Sequence, residues 1–234
     1  MEYEAWEPIY ERIVADFGYD PAADRQARDL LAQFVMPFDF ADLDFADRTV
    51  AIAGGSRTLE AEISLVREAE RVIAVSNAAA VLEAAGIRPD LVVTDLDGTP
   101  ETAISLATDG VPVAIHAHGD NVAALRTYLP RFELETVIGT TQVEPLKSVF
   151  NFGGFTDGDR AAFLADHFGG RSLSFPGWEF GDESVSGTKR RKLKWAARLL
   201  RCLERRRNER FAVLDGWRVE IAAFPDDDVW DCTN

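Results

Sequence analysis

Three short stretches concentrate the residues able to do chemistry. Val92-Val93-Thr94 leads into Asp95-Leu96-Asp97-Gly98; His116-Ala117-His118 leads into Gly119-Asp120-Asn121; and residues 151–159 form a glycine-rich acidic loop holding Thr156, Asp157 and Asp159, followed by Arg160. Carboxylates gathered in one place repel one another unless a cation sits among them. Hard oxygen ligands of this kind suit Mg²⁺, an ion usually shared with substrate phosphates. Taken singly, an Asp after a strand also serves as a helix N-cap, and a histidine at a strand end can simply hydrogen-bond a neighbouring loop.

The elements that must position these stretches follow from periodicity. Apolar runs at 49–53, 71–75, 91–94, 113–117 and 136–139 read as strands. Helical spacing follows each: Leu59, Ile63 and Val66; Asn77 to a stop at Gly86; a start at Thr99-Pro100; Val122–Leu129; and Asp159–Phe168. Ahead of them, Trp6, Tyr10, Ile13 and Phe17 mark one helix, and Pro21 opens another that ends near Val35. Residues 1–47 thus read as a helical appendage, with a linker over 37–47, and residues 48–234 as the α/β catalytic domain. At the other end, Thr188–Arg210 reads as a long helix. Asp215-Gly216 between Phe211–Leu214 and Trp217–Phe224 predicts a hairpin.

Strand–helix alternation implies an α/β fold, a mostly parallel sheet covered by helices on both faces. In such sheets ligands bind beyond the carboxyl ends of the strands, where the three stretches fall. Gly54-Gly55-Ser56 lies in the same place, and its backbone N–H groups are suited either to an anion or to an ordinary tight turn.

Composition bounds the partners. The 234-residue chain carries a net charge of −15, which argues against a nucleic-acid partner. Its only lysines are Lys147, Lys189, Lys192 and Lys194. An acidic, lysine-poor surface stays hydrated in concentrated salt and predicts a high-salt cytoplasm. There is no apolar run long enough to span a membrane and no signal-peptide layout. Cys202 and Cys232 read as two reduced thiols. The sequence is silent on homo-oligomerisation.

Local motifs admit other readings. Asp95 and Asp97 are placed like the nucleophile and general acid of haloacid-dehalogenase-type phosphatases, with Thr140, Lys147 and Asp157 or Asp159 completing the set. However, that motif normally opens its domain. His116, His118 and Asp120 resemble the start of a zinc hydrolase motif, but Asn121 stands where a histidine is needed. A non-catalytic nucleotide-binding module is a further alternative.

One family resemblance accommodates the segments together. Residues 86–98, 116–121, 153–161 and 192–196 resemble the archaeal 6-hydroxymethyl-7,8-dihydropterin pyrophosphokinases, related in fold to thiamin pyrophosphokinase. The resemblance implies a transferase that takes ATP and a dihydropterin alcohol and feeds folate or methanopterin synthesis. It also implies Mg²⁺ held by Asp95, Asp97 and Asp120, with His118 or His116 near the phosphates or the alcohol. Gly54, Gly55, Ser56, Ser76, Asn77, Asn121, Thr156, Asp157, Asp159 and Arg160 would contact substrate or nucleotide, with a second cation as the alternative for Asp157 and Asp159, and Phe155 and Trp178 offer flat faces for a ring. The family pattern places an acidic Asp-Gly-Ala segment after the second strand. Here it reads Ser76-Asn77-Ala78, so Ser76 stands in place of the carboxylate.

Overall fold

A computed structural model describes residues 1–222. Its centre is an all-parallel sheet of β1 (Thr49–Ala53), β2 (Arg71–Val75), β3 (Leu91–Thr94), β4 (Val113–Ala117), β5 (Val137–Thr141), β6 (Val149–Phe150) and β7 (Ser172–Ser174), in the order β6-β5-β4-β3-β2-β1-β7. The central strands are buried on both faces, which explains their unbroken apolar sequences.

Handedness of the crossovers assigns the layers. From β1 to β5 the chain steps one way across the sheet. Right-handed connections therefore put α3 (Ile63–Glu68), α4 (Ala78–Ala84), α5 (Pro100–Thr108) and α6 (Val122–Tyr128) on one face. After β6 the chain travels back to β7 at the far edge, so α7 (Asp157–His167) lies on the other face. Two core clusters match this division. One gathers Val66, Leu82, Leu106 and Leu125 against Ala51, Val92 and Ile115. The other gathers Phe163 and Leu164 against Ile52, Ile73 and Val93.

The N-terminal helices join one layer each. α1 (Tyr3–Phe17) buries Trp6, Ile9 and Ile13 in the α7 layer, and α2 (Pro21–Leu31) buries Ala27 and Leu31 in the opposite one. Phe45, within the stretch read as a linker, is fully buried. α8 (Gly187–Arg207) starts at Ser186, whose hydroxyl accepts the Lys189 N–H, and lays Trp195, Leu199 and Leu203 into the α7 layer.

Several details depart from the sequence reading. α2 ends four residues before Val35, and the third helical stretch begins as a 3₁₀ segment over Arg57–Glu62. The hairpin does not form in the described residues. Ala212–Leu214 is a 3₁₀ turn that leads into α9 (Arg218–Ala222). The cause is Glu204, buried on α8, whose carboxylate accepts the Phe211 N–H at 2.7 Å and the Arg218 guanidinium at 2.7 and 2.9 Å. These bonds hold both arms of the turn against a helix, leaving no strand partner. Phe224, the end of the expected hairpin, lies outside the described residues. Cys202 is disulfide-bonded rather than a reduced thiol. Cys232 also lies outside the described residues.

Candidate active site

α7 packs across β1, β2 and β3, which brings its N-terminus to the carboxyl end of β3. There the Asp157 carboxylate accepts the backbone N–H of Asp95 at 3.3 Å. Asp95, Asp97 and Asp157 each offer an oxygen within 4.8 Å of the others. Leu96, between the first two, has φ +68° and is buried. This left-handed turn is uncommon outside glycine, and it sends the leucine into the core while both aspartates stay at the rim.

Asp95 is the most restrained of the three. Its Oδ1 accepts the Asp97 N–H at 3.0 Å and its Oδ2 lies 3.3 Å from His118 Nε2. His118 Nδ1 accepts the Asp120 N–H, so the ring carries its proton on Nε2 and donates it to Asp95. Burial works to raise the Asp95 pKa, but these donors outweigh it and hold the group at about 2. Asp97 and Asp157 move the other way: burial, and then the Asp95 charge, raise both, Asp157 well above the usual range. The cluster is short of positive charge and presents oxygen donors only, a set that fits a hard divalent cation. Ser76, at φ +48°, donates its hydroxyl to Asp97 at 3.2 Å. Where a fourth carboxylate would add repulsion, the serine supplies a hydrogen bond.

The cluster opens into a cavity of about 600 Å³ beyond the strand ends, lined from both N- and C-terminal parts of the chain. Gly54, Gly55, Ser56, Asn77, His116, Asp120 and Thr156 also line it. Asp120 is exposed and stands outside the three-carboxylate group. At Gly54-Gly55-Ser56, two of the three N–H groups are already engaged, Gly54 with the Pro176 carbonyl at 2.8 Å and Ser56 with Gly177 at 3.0 Å. The segment is thereby a junction with the 176–177 loop, and a side chain at Gly54 would meet Trp178 at 2.7 Å.

Three expected contact residues sit behind the cavity wall. Asn121 donates to the Asp95 and His116 carbonyls and so fixes the loop after β4. Asp159, fully buried, accepts the N–H groups of Phe155 and Thr156 at 2.6 and 2.8 Å and closes the capping box of α7. Burial raises its pKa to about 6. Arg160 is buried, donating to His116 Nε2 at 2.9 Å and lying near the Gly153 and Phe155 carbonyls. His116 Nδ1 lies 3.3 Å from Thr140 Oγ1, whose own proton goes to the Ile115 carbonyl, which makes the ring the neutral Nδ1–H tautomer. Burial, reinforced by the Arg160 charge, keeps the His116 pKa well below normal. Trp178 donates its Nε1–H to the Ile52 carbonyl, and its ring joins Phe155 in the cavity wall.

The phosphatase alternative needs Thr140 and Lys147 beside Asp95. Thr140 is instead buried with its hydroxyl committed to Ile115, and Lys147 is exposed on the β5–β6 connection. The sequence reading passed over Asp24, Gln142, Glu179 and Asp182, which also line the cavity. Only Gln142 carried a signal, its place directly after β5. Asp24 is buried and accepts the Tyr10 hydroxyl at 2.6 Å, the Gln142 amide at 2.7 Å and the Gly119 N–H at 2.7 Å.

A parallel sheet with an acid-rimmed cleft at its carboxyl edge, its oxygens suited to a divalent cation, defines a class of α/β proteins that bind ligands beyond their strand ends. Comparison with known proteins narrows the class. The family described as 6-hydroxymethylpterin diphosphokinase MptE-like matches residues 25–184, and the chain belongs to it. It is an enzyme of the diphosphokinase type. The chain is 37% identical over 225 residues to the 6-hydroxymethyl-7,8-dihydropterin pyrophosphokinase of Methanothermobacter thermautotrophicus, covering 88% of this chain and 96% of that protein. Proteins of the same name from Pyrococcus furiosus and Methanocaldococcus jannaschii are 39% identical over 187 residues and 32% over 197. Each alignment covers 77% of this chain, and 79% and 81% of the respective relative.

Proposed function

We propose that the enzyme transfers the pyrophosphoryl group of ATP to the hydroxymethyl oxygen of 6-hydroxymethyl-7,8-dihydropterin, releasing AMP. The observation that carries this reading is the meeting of Asp95, Asp97 and Asp157 in a large cavity, in a chain of this family. Asp95, Asp97 and Asp157 would hold Mg²⁺, with Asp120 at the rim. When bound, the ion supplies charge neutralisation for the phosphates.

The chain's own residues would mainly position. His118 orients Asp95, since both its ring nitrogens are engaged, and Ser76 orients Asp97. His116, neutral and held between Arg160 and Thr140, supports the wall beneath them. Neither histidine has a spare lone pair with which to take the alcohol's proton. That proton would pass to a phosphate oxygen or to water as the alcohol oxygen bonds the β-phosphorus and the bond from that phosphorus to the AMP oxygen breaks. Rate enhancement is therefore assigned to alignment of the alcohol with the β-phosphorus and to fixed electrostatics. Phe155 and Trp178 offer flat faces to the pterin or the adenine. On this reading residues 48–234 carry the reacting groups and residues 1–47 frame the entrance. The enzyme would work in a cytoplasm rich in salt and supply folate or methanopterin synthesis.

The test is an incubation with ATP, Mg²⁺ and the reduced pterin alcohol, with the products separated. Equal amounts of AMP and pyrophosphorylated pterin are expected; release of inorganic phosphate, or no use of the pterin, overturns the reading. Asp97→Asn should lower turnover by roughly 100-fold or more while leaving the melting curve in place.

A further inference from the structure

The cavity presents an electrostatic problem to any phosphate-bearing ligand. Besides the three clustered carboxylates, Asp20, Asp24, Asp120, Glu179 and Asp182 line it. A polyanion entering such a space meets net repulsion unless fixed cations are set among the acids. Among the described residues that line it, Lys189 and Lys192 alone carry permanent positive charge.

These two are unusual members of this chain. Basic side chains here are mostly arginine, and three of the four lysines fall within residues 189–194. Arginines carry the ion pairs, as in Arg25–Glu144 and Arg171–Glu70 at the surface and Arg218–Glu204 on a buried carboxylate, whereas among the described residues no lysine is in an ion pair. Lys192 is half-buried, with Nζ 5.8 Å from the centroid of the Phe155 ring. Phe155 lies two residues before Asp157, so this ammonium stands over the loop that delivers a clustered carboxylate. Lys189 is three residues earlier in α8, on the same helical face. Lys192 faces the cavity and holds no ion pair among the described residues, so it can take an anion without giving up a fixed partner.

We infer that Lys192, supported by Lys189, binds the phosphates of the nucleotide in the cavity rimmed by Asp95, Asp97 and Asp157. This rests on the transfer reading for its chemistry, although phosphate binding can be measured without any transfer. The lysines would grip the triphosphate as point charges, complementing the acid-held cation.

The test measures binding of an α,β-methylene ATP analogue with Mg²⁺ to the full chain, by calorimetry. Lys192→Met keeps the stem and removes the charge. It should weaken binding roughly 10- to 100-fold, the effect of losing one charge-assisted hydrogen bond. Lys192→Arg should recover most of that loss, and both should melt with wild type. Lys189→Met should weaken binding several-fold, and Lys147→Met, outside the cavity, should not. Should Lys192→Met fail to fold, the Lys189→Met and Lys192→Arg affinities decide. Binding within twofold of wild type for Lys192→Met, or for Lys189→Met in that case, overturns the inference. If wild type binds the analogue but, given ATP in its place, leaves the pterin untouched, the transfer reading falls and the lysine assignment is still judged by these affinities. If wild type binds no analogue, both fall.

Discussion

The Asp157 carboxylate accepts the backbone N–H of Asp95, joining two loops 62 positions apart in the chain. Through this bond the start of α7 becomes part of the same acidic group as the end of β3. Asp120, although much closer to Asp95 in sequence, remains on the rim.

This geometry ranks the two acids. Asp157→Asn should reduce turnover about 100-fold or more and raise the Mg²⁺ concentration needed for half-activation. Asp120→Asn should cost about tenfold or less. Titrating Mg²⁺ in the product assay separates them, and equal losses would remove Asp157 from its special place.

Glu204 predicts an acid-sensitive C-terminal corner. Burial raises its pKa, but Arg218, the Phe211 N–H and Arg201 outweigh this and bring it to about 2, below the usual 4.5. A depressed carboxylate contributes stability that is present above its unfolded pKa and is lost as pH falls through the folded one. The contribution should be roughly 3 kcal/mol at neutral pH, fading between about pH 4.5 and pH 2. Denaturant melts of wild type and Glu204→Gln across that window should converge at the acid end.

Gly158→Ala reverses the ordinary helix rule. Alanine in place of glycine usually stabilises a helix, but here the added methyl would lie 2.6 Å from the Trp178 ring. The variant should lose about 1–3 kcal/mol, with lowered activity because Trp178 walls the cavity. Thermal melting checks it; a higher melting temperature would show that the ring yields freely.

The net charge of −15 sets the salt response. Self-repulsion should be relieved as KCl rises towards about 1 M, where the screening length is near 3 Å. The melting temperature should climb by several degrees, and equal melting in dilute buffer would contradict a salt-adapted surface.

Much of the fold was legible because its central strands are buried on both faces and so read as unbroken apolar runs. β1 to β4 fall on the apolar runs 49–53, 71–75, 91–94 and 113–117. β6 and β7, two and three residues long, are too short to carry a period. The turn after α8 was misread because Asp215-Gly216 is a local hairpin signal, whereas Glu204 acts from 14 residues before Arg218. At the site, the acids announced themselves by following strands, but which of them meet is decided by long-range packing. The same limit applied at Gly54 and Ser56, whose amide partners, Pro176 and Gly177, come from the far side of β7.

Asp24 gathers a tyrosine from α1, a backbone amide from the loop after β4 and a glutamine from the end of β5 onto one carboxylate. Mechanical slack in the first two helices is thus transmitted to Gly119, the residue next to His118. Warming that frays the beginning of the chain should blunt catalysis at temperatures where the sheet itself is still whole.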